Sequence, residues 1–192
     1  MNFGTKGIID PAVPNSASDP WKGCYVYYGN YNGSPVKYRV LDASTTDFSA
    51  DGTTQTMFLD CDSILYVQKF DNGGTANEAG KKANDWSISA VKSSLNGEGF
   101  LNKEGVFTTA EKNAIAASTV EAHTLTTDNV ADWTKSIFVN YVALTGEQIF
   151  LLDAEDVSNG AYGYSNTDKS RDDRKKTGSS AADWWLRSAS SS

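Results

Sequence analysis

Apolar and polar positions alternate over short stretches in the first third of the chain. Val36, Tyr38 and Val40 fall on one side of an extended segment, and Lys37 and Arg39 fall on the other. That period of two is the mark of a half-buried strand. Residues 24–28 and 56–61 read as two further strands. Gly29-Asn30-Tyr31-Asn32-Gly33-Ser34 supplies turn chemistry between the first two, and Asp51-Gly52 lies in the loop before the third. A β-meander is the simplest arrangement. Beyond residue 84 the period becomes helical. Trp86, Ile88, Val91 and Leu95 share a face, Asp85 or Ser87 can cap the helix, and Asn96-Gly97 ends it. Thr108 and Glu111 have capping-box spacing for a second helix running through Ala114, Ile115 and Ala116. Residues 118–125 suggest a strand, and 126–147 a long insertion with Trp133 and an apolar stretch from Ile137 to Leu144. Residues 149–152 suggest a buried strand, followed by a short turn capped by Asp153 and ending near Gly160. Residues 71–84 and 161–183 are loops, the second with a mixed-charge run from Lys169 to Lys176. Trp184-Trp185-Leu186-Arg187 reads as a last strand. Its two tryptophans point to opposite faces, so both faces must be covered.

With 192 residues the chain suits one domain of ordinary size. Three of the four prolines (Pro11, Pro14, Pro20) mark residues 1–20 as an irregular arm, leaving 21–192 as a single domain. Five Trp, nine Tyr and eight Phe point to a core built on aromatics rather than aliphatics. The net charge of −7 argues against a nucleic-acid partner and against an anionic membrane surface. No apolar run approaches the roughly 18 residues of a membrane span. The first residues lack the apolar centre of a signal peptide, so either the protein is cytosolic or an export signal precedes them. Cys24 and Cys61 read as two buried small hydrophobes, with a disulfide between them left open.

Enzyme chemistry finds little support in these residues. There is no nucleophile elbow, and the one histidine, His123, lies at a strand end. The carboxylates Asp60 and Asp62, Asp153, Glu155 and Asp156, and Asp172 and Asp173 are better explained by caps and solvated turns than by acid/base pairs. Zinc would need Cys/His clusters that are absent, and no cofactor motif is present. A structural calcium held by loop carboxylates stays open. Tyrosines 25, 27, 28, 31 and 38 crowd the first hairpin and read as core and cross-strand pairs. Tyr162 and Tyr164, flanked by Gly160, Gly163 and Ser165, look less like core residues and offer flat amphipathic faces for a ligand.

The order of these segments resembles a known pattern. Tyr27-Tyr28-Gly29-Asn30-Tyr31 precedes Val36-Lys37-Tyr38-Arg39-Val40-Leu41. Asp85-Trp86-Ser87-Ile88-Ser89 leads to Leu95-Asn96, Phe100, Phe107 and Thr108-Thr109-Ala110-Glu111. Ile149-Phe150-Leu151-Leu152-Asp153-Ala154-Glu155 and Trp184-Trp185-Leu186-Arg187-Ser188 follow. Over residues 21–188 this series resembles an uncharacterised bacterial domain family of secreted and surface proteins of gut Firmicutes. That family is similar to the C-type-lectin-type fold of formylglycine-generating enzymes and retroelement-diversified binding proteins. The resemblance implies an α+β domain, with two helices packed on a small, irregular, mainly antiparallel sheet. Relatives continue past the Trp-Trp-Leu-Arg-Ser segment, so the last strands are expected to be lacking here.

It also implies a non-enzymatic ligand-binding or adhesion module, extracellular or on the cell surface, that takes a protein or glycan and uses no cofactor. By analogy with lectin-type folds, residues 161–183 are the candidate surface, with Tyr162, Tyr164, Arg171, Arg174 and Arg187 as ligand-binding candidates. Arg187 is also expected to satisfy local carbonyls or carboxylates. The alternatives are a structural domain that self-associates through a sheet edge, and a hydrolase or oxidase on the same scaffold.

Overall fold

The computed structural model describes residues 7–71, 85–120, 124–125, 144–165, 176–177, 180–181 and 183–190. Its largest sheet is the expected meander: β1 (Tyr25–Tyr31), β2 (Ser34–Thr45) and β3 (Thr56–Cys61) pair antiparallel in that order. Asn32 (φ 50°) and Gly33 (φ 82°) close the β1–β2 hairpin. Two left-handed central residues make a type I′ turn, whose twist matches the strands, and Asn-Gly adopts it at least cost. The register of β1 slips between Tyr27 and Asn30. Gly29 occupies this bulge at φ +66°, and a Cβ there would lie 2.5 Å from the Phe107 ring. The site therefore needs glycine for its backbone angle and for its space.

Both faces of the sheet are covered. One carries Leu41 and Phe58 into a core with Trp21, Leu152, Val157, Tyr162 and Tyr164. Phe48 and Phe150 pack on Phe58 with ring centroids 4.3 and 6.0 Å away. Covering this face corrects the expectation for Arg39, which alternation placed in water. Arg39 is buried, stacked near the rings of Trp21 and Tyr164, and donates to Asp62 at 2.8 Å. Lys37, half-exposed, reaches the other oxygen of Asp62 at 3.0 Å. Burial alone would raise the Asp62 carboxyl. The two cations outweigh it and hold Asp62 below the usual carboxylate range. The N-terminal arm stays irregular, yet Pro11 is buried and Asp10 accepts from the Ala43 N–H at 2.8 Å.

The second layer is helical. The helix expected from residue 85 forms in two pieces. A 3₁₀ turn, Trp86–Ile88, is capped by Asp85, and α1 (Ala90–Leu95) is capped by Ser89, whose extended backbone (ψ 146°) breaks the run. α2 (Thr109–Ala114) carries the full capping box between Thr108 and Glu111. β4 (Ser118–Val120) pairs antiparallel with a later strand, and β5 (Thr124–Leu125) lies just after it. The partner of β4 is β6 (Leu144–Glu147). A two-residue hairpin, β7 (Lys176–Thr177) and β8 (Ser180–Ala181), was not foreseen. β9 (Ala189–Ser190) pairs parallel with β5. The molecule is thus an α+β assembly of two helices and small, mainly antiparallel sheets.

Two expected strands are absent. Residues 149–152 and 184–187 are irregular, and strand pairing begins only at Ala189. The reason is that Arg187 joins these segments itself. Its backbone N–H donates to the Leu152 carbonyl at 3.0 Å, and its guanidinium donates to the Leu151 carbonyl. Cys24 and Cys61 form no disulfide and are half-buried, and the Cys61 thiol donates to the Ser63 carbonyl at 2.9 Å. His123, most of the 126–147 insertion and most of the mixed-charge run lie outside the described residues.

Candidate functional site

A cleft of about 810 Å³ opens between the meander and the helical layer. Val26, Tyr28 and Tyr38 form its floor on the sheet, and Val91 and Leu95 of α1 face them with Phe100 and Phe107. Every residue from Thr54 to Cys61 lines it, and so does every residue from Gln148 to Leu152. Residues 63–68 and the pair Trp184-Trp185 complete the wall. The aromatic rings hold one another: Tyr31 stacks on Tyr66 at 5.8 Å, and Phe100 meets Phe107 edge-on at 5.4 Å.

Polar side chains in and beside the lining brace this frame. Asn96 caps α1, and its amide oxygen accepts from the N–H groups of Gln148 (3.2 Å) and Ile149 (3.1 Å). Its amide nitrogen donates to the Ile149 carbonyl at 2.8 Å. Gln148 donates to the Ile115 carbonyl at 2.8 Å, and the Tyr28 hydroxyl donates to the Glu111 carbonyl at 2.7 Å. Tyr38 is held neutral, since burial pushes its phenol up, with Cys61 and Tyr28 adding to it. Asp60 and Asp183 are the charged residues among the described lining. An apolar cleft of this size is the usual form of a ligand site, the common range being roughly 300–1,000 Å³.

A second, polar cavity of about 660 Å³ lies between residues 46–52 and the Asp153–Asp156 turn. Asp153 and Asp156 cap each other's backbone: the Asp156 N–H donates to Asp153 at 3.0 Å, and the Asp153 N–H to Asp156 at 2.9 Å. Arg187 bridges both, 2.8 Å from Asp156 and 3.3 Å from Asp153. Burial pushes the Asp156 carboxyl up to about 6, opposed by Arg187 and assisted by the like charge of Asp153. Asp51, on the rim, accepts from Ser49, Thr53 and Thr54, and these bonds hold its carboxyl far below the usual range. Among the described residues no group of three or more His, Cys, Asp or Glu is arranged to hold a metal ion. No helix among them is long and apolar enough to cross a membrane.

Three of the residues expected on a binding surface are described, and all three are buried. Tyr164 is fully buried and donates to Asp60, and Tyr162 is buried edge-on to Phe58 at 5.3 Å while its carbonyl accepts from Trp21 Nε1 at 2.8 Å. The flanking glycines do not loosen this loop; Gly163, at φ +76°, lets it turn tightly against Trp21. Arg187 is buried and satisfies carboxylates and carbonyls. Arg171 and Arg174 lie outside the described residues. The tryptophan pair does split between two sides. Trp184 packs on the core, whereas Trp185 is 52% exposed and donates to the Gln68 carbonyl at 2.9 Å. No element is predicted over Ile64-Leu65-Tyr66-Val67, which forms part of the cleft wall. Four consecutive apolar residues just after a strand were its signal.

Neither the curated proteins nor the solved structures contain a match to this chain. The profile of a domain of unknown function, DUF6273, matches residues 54–192, which takes in β3, the helical layer, the cleft wall and the Arg187 cluster. The chain belongs to the DUF6273 family.

Proposed function

We propose that this domain is a non-enzymatic binding module of a bacterial secreted or surface protein, with the apolar cleft as its ligand site. The observation that carries this is the cleft itself: about 810 Å³ of space lined by aromatic and aliphatic side chains on a braced frame. Tyr28 and Gln148 in its lining are engaged in backbone bonds, and the largely aromatic and aliphatic lining suits capture of an apolar ligand better than acid/base chemistry. A protein segment fits such a lining better than a glycan, whose hydroxyls would call for convergent polar groups. The motif order supports a C-type-lectin-type scaffold and an origin among gut Firmicutes. The Asp153–Asp156–Arg187 cluster serves to hold the C-terminal segment in place.

Nile red, a neutral dye that brightens in apolar sites, tests the proposal. It is expected to bind the full chain at one site and to bind at least tenfold more weakly to Val67→Asp. Val67 lines the cleft and is 91% exposed, so this variant keeps its fold. Equal binding by both chains would refute the cleft as the site. A second reading, self-association through a sheet edge, is favoured by exposed Tyr25 and Tyr27 on the edge strand β1. Light scattering that gives a monomer at high concentration would exclude it.

A further inference from the structure

We infer that Asp183 and Trp185 form a cation subsite at the mouth of the cleft, so that its partner is an apolar protein segment carrying one arginine. This rests on the cleft being the ligand site. Three observations take it from an apolar pocket to a charge-selective one.

First, the segment that closes the cleft wall presents its side chains alternately. Trp184 and Leu186 pack against the core, whereas Asp183 and Trp185 are exposed and line the cleft. Two residues apart, their Cα atoms are separated by at most about 7 Å. A carboxylate and an indole within that reach can hold one cation between them.

Second, the pair is fixed in place. Trp185 Nε1 donates to the Gln68 carbonyl at 2.9 Å, and its ring meets Phe70 edge-on at 5.6 Å. Two residues on, Arg187 ties its backbone to the Leu152 carbonyl at 3.0 Å and its guanidinium to Asp156 at 2.8 Å. Trp185 still keeps 52% of its surface exposed, so a ring of set orientation is open to a ligand. Groups ordered in advance lose less entropy on binding.

Third, charge and ring chemistry select the occupant. Indole is the best aromatic partner for a cation, and a planar guanidinium can stack on it while donating to a carboxylate. Lysine, a compact and strongly hydrated charge, suits the pair less well. Asp60, the other carboxylate among the described lining, is buried, accepts from Tyr164 and lies near Arg39. Asp183 is the one exposed at the mouth. The net charge of −7 adds a field that draws basic segments and repels acidic ones, a second copy of this chain included.

The test uses the full chain and a capped peptide of leucine, phenylalanine, leucine, glycine and arginine, made in both chain directions. Further versions replace the arginine by citrulline, which keeps the shape without the charge, by lysine or by glutamate. Displacement of Nile red is the readout. In the better direction arginine should bind about fivefold more tightly than citrulline, with lysine between them and glutamate weakest. In Asp183→Asn the preference for arginine over citrulline should fall below about twofold, and Asp183→Glu should keep it. Glu104→Gln, which removes the same charge from an exposed position outside the described lining, should leave the preference as it is. If Nile red binds but no peptide displaces it, or arginine and citrulline displace it equally, the cleft stands and the subsite falls. If Nile red does not bind at all, both fall. A preference unchanged in Asp183→Asn overturns the subsite. Equal loss of preference in Asp183→Asn and Glu104→Gln refers it to net charge and also overturns it. A Nile red site that closes as protein concentration rises assigns the cleft to a second copy and overturns the inference as well.

Discussion

Substituting Asp156→Asn should make the protein gain stability, relative to the parent, as pH rises. Asp156 is buried between Asp153 and Arg187, and its carboxyl is pushed up to about 6 from an ordinary value of 3.8. A raised folded value means that the folded state holds the proton more tightly than the unfolded chain. The associated stability is fully present below about pH 3.8 and is lost as pH rises through about 6. A separation of roughly two pH units corresponds to about 3 kcal/mol. Asparagine keeps the shape and cannot ionise, so the variant avoids this loss. Removing Asp156 also spares Asp153 a like-charged neighbour, which acts in the same direction. Urea unfolding of both proteins at intervals from pH 3.5 to 7.5 measures the difference. The parent's advantage over the variant should shrink by about 3 kcal/mol across that window, with most of the change between pH 4 and 6. A difference that stays flat with pH, or grows in the parent's favour, would refute the assignment of Asp156 as the destabilised carboxylate.

Other substitutions probe the frame. Thr108→Ala removes the hydroxyl that accepts from the Glu111 N–H and should cost about 1 kcal/mol in urea unfolding, while Thr108→Ser should restore most of it. Gly29→Ala forces an L side chain into φ +66° against Phe107 and should cost more than 1 kcal/mol, whereas the same change at Gly33, whose added Cβ meets nothing, should cost less. Trp21→Phe leaves the buried Tyr162 carbonyl without its indole donor and should lower stability by about 1–3 kcal/mol, read as a lower urea midpoint at unchanged slope.

The local code of this chain was easier to read than its covering. The capping box at Thr108 and the order of the meander follow from a few neighbouring residues, and each formed where the residues placed it, whereas the turn expected over Gly29–Ser34 narrows to Asn32-Gly33 because β1 runs on to Tyr31. The errors share one cause, which is that alternation describes a strand's two sides without saying what lies over each. Lys37 and Arg39 occupy the same kind of position in the pattern. Trp21 and Tyr164, distant in sequence, cover the second and leave the first half-exposed. Tyr162 and Tyr164 were misplaced for the same reason: their glycine neighbours suggest a surface loop, yet Gly163 lets the backbone press against Trp21.

The irregular segments around residues 150 and 186 carry the same lesson toward function. Apolar runs such as Ile149-Phe150-Leu151-Leu152 and Trp184-Trp185-Leu186 predict strands because burial of both faces normally goes with a ladder. Here the Arg187 guanidinium and the Asn96 amide take up backbone groups of residues 148–152, so the segment is held without becoming the neighbour of β3. The side-chain bonds that spare this wall a ladder also keep it apart from the sheet. The space between becomes the cleft. The cleft thus follows from where two polar side chains replaced a ladder, a substitution that no hydrophobic period records.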